Sequence, residues 1–156
     1  MADRLKRLLL IALVVVALDQ ITKALAVYYL SAFSKITVIP GLADLILVYN
    51  RGAAFGSLAS WPHAHWLLII LTGVALGVAA WIVLGKAGAQ RTVQNCVGLI
   101  AGGALGNLMD RLRLGKVIDF VDLHVGELHW PAFNLADAAI TVAGVYLAWL
   151  LFRGKL

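Results

Sequence analysis

A single cysteine, Cys96, rules out an internal disulfide, and no CxxC pair or zinc-type spacing accompanies it. Free cysteines are among the most buried residue types, so Cys96 reads as a small hydrophobe within an apolar stretch. Charge is equally scarce. Only 13% of the 156 residues are charged, with 8 acids against 13 Lys and Arg. A chain that is 62% hydrophobic, with a mean hydropathy of +0.92, falls outside the range of ordinary soluble domains. Several enzyme signatures are missing too: there is no HExxH zinc motif, GxSxG elbow, GxxxxGK phosphate loop or GxGxxG dinucleotide turn. His124 and His129 are five apart, a poor spacing for one helix face, and His63 and His65 precede an apolar run where interfacial anchoring suffices. Ser57 and Ser60 have no evident paired base. Repeats and low-complexity tracts are absent.

What is present is length for lipid. A bilayer-spanning helix takes about 20 mostly apolar residues, and stretches at about 8–30, 66–84, 93–109 and 135–152 qualify. The first is too long for a cleaved signal peptide and continues into DQITK. The expected fold is an all-α membrane protein, a four-transmembrane-helix bundle forming one domain over residues 1–156. Within the long connection after the first span, "ITVIPGLADLILVYN" has β-branched residues around a Pro40–Gly41 turn, which predicts a small outer-face β-hairpin or sheet at about 35–60, flanked by aromatics and Trp61–Pro62.

The net charge of +5 would invite a nucleic-acid reading in a soluble protein, but the bases sit at span ends. Arg4, Lys6 and Arg7 precede span one, Lys86 and Arg91 lie between spans two and three, and Arg153 and Lys155 close the chain. An even number of crossings puts these on one side, cytoplasmic by the positive-inside rule, with Lys35, Arg51, Arg111, Arg113 and Lys116 opposite.

Polar residues inside such a chain are costly and few. Asp19 and Lys23 are spaced i, i+4 with the acid first, as an ion pair prefers; Lys23 could instead reach a headgroup. Gly98, Gly102 and Gly106, with Gly103 alongside, read as a close-packing face. Asn107 and Arg111 share a helix face just beyond them. Asp137 fits the third position of a helix capped by Asn134, a structural role in itself. Asp119 lies between Ile118 and Phe120 and is otherwise a loop acid, and Asp122 and Glu127 read as exposed loop acids. With other chemistries absent, carboxylates are the best-placed reactive groups. Two brought together share one proton and can activate water without metal or covalent intermediate.

The same residues resemble a known family, the lipoprotein signal peptidases or signal peptidase II, aspartic peptidases of the bacterial cytoplasmic membrane. "DQITK" at 19–23, "NRGAAFG" at 50–56, "GGALGNLMDR" at 102–111, "VIDF" and "PAFNLADAAI" resemble its motifs in order, over nearly the whole chain. Gly56 stands where a serine is frequent. The resemblance implies removal of the leader peptide from diacylglyceryl-modified prolipoproteins, just before the lipidated cysteine. It implies Asp119 and Asp137 as the catalytic pair; Asn50, Gly52, Asn107, Arg111 and Asn134 around the site; and Asp19, Lys23 and Asp110 in support. No cofactor or metal is implied. The expected partners are the lipidated substrate and membrane lipid, with no nucleic acid, in a monomer whose termini are cytoplasmic and whose site faces outward. Within the pair, the helix N-terminus and Asn134 favour an ionised Asp137, and Asp119 between apolar neighbours keeps the proton. A small transporter or a non-enzymatic lipopeptide-binding protein would place similar polar groups in a bundle.

Overall fold

The computed structural model describes residues 1–33, 35–52 and 63–155; Gly56, Ser57, Ser60, Trp61 and Pro62 lie outside them. Four long helices carry the architecture: α1 (Ala2–Leu30), α2 (Ala64–Leu84), α3 (Arg91–Leu114) and α4 (Leu135–Phe152). Four strands, β1 (Ile36–Ile39), β2 (Ala43–Asn50), β3 (Val117–Val125) and β4 (Leu128–His129), form an antiparallel sheet in the order β1-β2-β3-β4.

α1 runs for 29 residues with neither Gly nor Pro, about 43 Å at the α-helical rise. α1, α2 and α4 are each long and apolar enough to cross a membrane; α3 is not, by composition. The reason is α3's position. It packs against α1, α2 and α4, so its surface meets protein. Side chains such as Leu10, Leu13, Trp66, Val74, Val142 and Val145 stand exposed on the other three. Apolar side chains facing outward and polar ones facing in is the arrangement a lipid solvent selects.

Glycines let α3 sit so close. A Cβ on Gly98 would fall 2.9 Å from the Ile11 side chain, and one on Gly102 would fall 2.8 Å from the Ala12 carbonyl oxygen. Gly103 lies in the same way against Ala136 and Ile140 of α4. The expected packing face is therefore real, and it serves two helices. These contacts set α1 and α3 parallel and α4 antiparallel to both.

The two ends of the bundle differ. Near the termini an apolar cluster joins Leu8, Ala79, Val83, Val93 and Val97. At that end Arg7 Nε donates to Asn95 Oδ1 at 2.7 Å, and Arg4 donates to the Gly85 carbonyl. The opposite end holds the sheet and, Gln94 apart, the buried polar residues.

The predicted hairpin is β1–β2, with Gly41 in the left-handed region (φ 76°) at its turn. The sheet is larger than expected. Residues 117–125, read from sequence as a loop bearing acids, form β3 instead, pairing with β2 in the register Val48↔Asp119 and Asn50↔Val117. Gly115, left-handed at φ 67°, ends α3 and turns the chain into that strand.

Candidate active site

Strand formation by 117–125 is what buries its acids. Along β3, Val117, Ile118 and Asp119 are all buried, and Asp119 is 2% exposed. Asp122 is buried as well and accepts from His129 Nδ1 at 2.9 Å, so its reading as an exposed loop acid is corrected. Glu127, in the tight β3–β4 turn, is exposed as expected. The five-residue spacing of His124 and His129, poor for a helix, suits this hairpin: the two rings stack across it at 4.8 Å.

Asp137 arrives from the other side, at the first turn of α4. Asn134 caps that helix, accepting from the Asp137 N–H at 3.0 Å, while Asp137 Oδ2 accepts the Asn134 N–H at 3.2 Å. The capping role read from sequence is thus real. Asp137 also lines, together with Asp119, a cavity of about 1010 Å³. Asn50, Gly52, Asn107, Arg111, His129 and Phe133 contribute to the same wall.

Amides hold both acids. Asn134 Nδ2 donates to Asp119 Oδ1 at 2.7 Å, and Asn50 Nδ2 donates to Asp119 Oδ2 at 3.1 Å. Asn107 Nδ2 donates to Asp137 Oδ1 at 2.8 Å, and Asn134 Nδ2 also reaches Asn107 Oδ1 at 3.1 Å. Asn50 is in turn fixed by the Gly52 N–H, which donates to its Oδ1 at 2.9 Å. Every oxygen of the two carboxylates therefore receives a donor. Burial pushes the Asp119 carboxyl up to about 6, opposed by the Asn50 donor, reinforced by the neighbouring Asp137 charge, and opposed again by Asn134 and Lys23.

The supporting residues form a layer beneath. Lys23 Nζ lies 2.8 Å from Asp19 Oδ2 and 2.8 Å from Asp110 Oδ2. The expected i, i+4 pair is present, with Asp110 as an additional partner, and Lys23 is 1% exposed, which rules out a reach to headgroups. Gln20, overlooked in the sequence although it sits inside DQITK, donates to Asp110 Oδ1 at 3.0 Å. Arg111 does not pair with Asp110; among the described residues it has no ion-pair partner, and it lines the cavity half-buried.

A helical membrane protein with two amide-held carboxylates lining a shared cavity carries the groups that a membrane enzyme of the aspartic type would use. Comparison with known proteins makes this specific. The family model for signal peptidase (SPase) II matches residues 11–153. A lipoprotein signal peptidase of Syntrophotalea carbinolica is 47% identical over 135 residues, covering 86% of this chain and 84% of that protein. One from Burkholderia mallei is 48% identical over 143 residues, covering 89% and 83%. A solved structure described as a bacterial membrane enzyme, determined in meso at 2.3 Å, superposes with a TM-score of 0.83 at 29% identity, covering 94% of this chain and 87% of that one. A second, at 1.9 Å, gives 0.81 at 30% identity, covering 92% and 91%. The chain belongs to the signal peptidase II family, membrane aspartic peptidases that remove signal peptides from prolipoproteins. It is accordingly an enzyme of a bacterial membrane, and the transporter and binding-protein readings fall away.

Proposed function

We propose that this chain cleaves diacylglyceryl-modified prolipoproteins immediately before the lipidated cysteine, with water activated by Asp119 and Asp137. One observation carries the reading: a buried carboxylate on a strand, Asp119, and a half-buried one at a helix start, Asp137, are joined through Asn134 and line a common cavity.

Asp119, with its raised proton affinity, starts protonated, and Asp137, fed by donors at a helix N-terminus, starts ionised. A water between them loses a proton to Asp137 as its oxygen attacks the scissile carbonyl, while Asp119 protonates the carbonyl oxygen. The resulting gem-diol collapses: Asp137 gives its proton to the departing amide nitrogen, and a diol hydroxyl returns one to Asp119. Both acids end as they began, and the products are a carboxylic acid and an amine. Arg111, uncommitted to any acid among the described residues, offsets the negative charge of the pair as substrate displaces water.

Charge and packing together support four crossings with both termini cytoplasmic. Arg4, Lys6, Arg7, Lys86, Arg91, Arg153 and Lys155 gather at the end away from the site, so the positive-inside rule turns the cavity outward. α3 crosses as the enclosed helix, and a monomer suffices because one chain supplies the whole site. Purified protein in detergent, given a diacylglyceryl prolipoprotein and a metal chelator, is expected to release the leader peptide with the cut immediately before the modified cysteine, as read by mass spectrometry. Loss of cleavage on chelation would show that metal, and not the carboxylate pair alone, drives the hydrolysis.

A further inference from the structure

Between α1 and the cavity lies a layer of charge that the cleavage chemistry does not use. Lys23 is almost completely buried, and each proton of its ammonium has an acceptor: Asp19 Oδ2 and Asp110 Oδ2 at 2.8 Å, and Asn107 Oδ1 at 2.9 Å. One ammonium is shared between two carboxylates. The third bond goes to a neutral amide, and that amide is the one bonded to Asp137.

We propose that Lys23 is the positioning residue of this active site, acting through Asn107 on Asp137 and through Asp19 and Asp110 on the separation of the two catalytic carboxylates. The proposal rests on the reading of Asp119 and Asp137 as the catalytic pair.

The amide step follows from donor chemistry. An ammonium offers only protons, so the Asn107 atom facing Lys23 has to be its oxygen, and its NH2 is thereby turned toward Asp137 Oδ1. Without the ammonium, that oxygen keeps only the neutral Asn134 donor, and the orientation of the amide is held less firmly. A flipped Asn107 would present a carbonyl oxygen to Asp137, replacing attraction by repulsion between lone pairs.

The spacing step is a chain of backbone contacts. Asp110 Oδ2 accepts the N–H of Ile118, the residue before Asp119, at 3.2 Å. Asp19 Oδ1 accepts the N–H of Ala136, the residue before Asp137, at 3.0 Å. Lys23 grips both acids, so the strand bearing one catalytic carboxylate and the helix bearing the other are tied to one nitrogen atom. The charged groups around this point are Asp19 on α1, Asp110 and Arg111 on α3, Asp119 on β3 and Asp137 on α4. Lys23 is the cation that bonds directly to two of these acids.

A double-mutant cycle tests this, using Lys23→Met and Asn107→Ala on the full-length protein in detergent with the lipidated substrate. If Lys23 works partly through Asn107, each single variant loses about 10²-fold in kcat with little change in KM, and the double variant loses clearly less than the product of the two, because the amide route is already gone in Asn107→Ala. Losing the cation also moves the acid limb of the pH profile to higher pH. Lys23→Met leaves two unpaired buried acids, so the same cycle is repeated in an Asp110→Asn background, where removing Lys23 leaves one carboxylate behind instead of two. Multiplying losses in the cycle, or an unshifted pH profile in a folded Lys23 variant, would overturn the proposal. So would failure of both Lys23 variants to fold, which would mark the residue as structural. Asp119→Asn and Asp137→Asn are run alongside: cleavage by either removes the catalytic-pair reading itself, whatever the cycle shows.

Discussion

Burial raises the Asp119 carboxyl from the ordinary 3.8 to about 6, and two measurable effects follow from that sign. The neutral acid suits the folded site, so its stabilising contribution is present below about pH 4 and lost as pH rises through about 6. Asp119→Asn, neutral throughout, should therefore be more stable than the parent near pH 8, by up to about 3 kcal/mol, with the gap closing near pH 4. Equal gains at both pH values, measured by thermal unfolding in detergent, would contradict this. On the proposed mechanism, deprotonation of the same group should end activity, placing the alkaline limb of kcat/KM near pH 6 and that of kcat higher, where substrate excludes water. Asn50 donates to Asp119 and favours its ionised form, so Asn50→Leu should shift the limb upward. At this scale the sequence was partly legible. Asp19 and Lys23 revealed their pairing because i, i+4 neighbours meet on any helix. Asp110 did not, since its partners Lys23, Gln20 and Ile118 come from other elements.

Helix α3 and strand β3 position these residues, and each makes a prediction of its own. A methyl group on Gly102 would press on the Ala12 backbone, and one on Gly106 would fall 2.5 Å from Asp19 Oδ2. Gly102→Ala should destabilise the bundle by about 1–3 kcal/mol. Gly106→Ala should in addition lower cleavage, because Asp19 is a partner of Lys23. Gly73 and Gly77 on α2 face open space, so alanine there should be tolerated or slightly stabilising; thermal unfolding of the four variants separates the two groups. The glycine face was readable from four-residue spacing alone. Strand β3 was overlooked because its acids suggested solvent. Its signal was nonetheless present: Val117, Ile118, Phe120 and Val121 between Gly115 and Gly126 make a β-prone run bounded by turn residues. What the spacing could not supply was the Val48↔Asp119 register, set by β2 roughly 70 residues earlier.

For the whole molecule, the proposed orientation rests on the apolar exterior and on the basic end away from the cavity. Cysteines placed at exposed Glu127 and Arg153 should behave oppositely in spheroplasts, Glu127→Cys reacting with an impermeant maleimide and Arg153→Cys only after lysis. Buried Cys96 gives little background. The class and the helix count were legible in composition and length. The enclosed position of α3 was not, since its apolarity falls short of its neighbours' for a reason that only packing reveals. The most direct measurement is single-turnover cleavage of a lipidated prolipoprotein by folded Asp119→Asn and Asp137→Asn proteins. Each should lose about 10²–10⁴-fold in rate while still binding substrate. A folded variant of either that cleaves at the parent's rate would show that water is not activated between those two side chains.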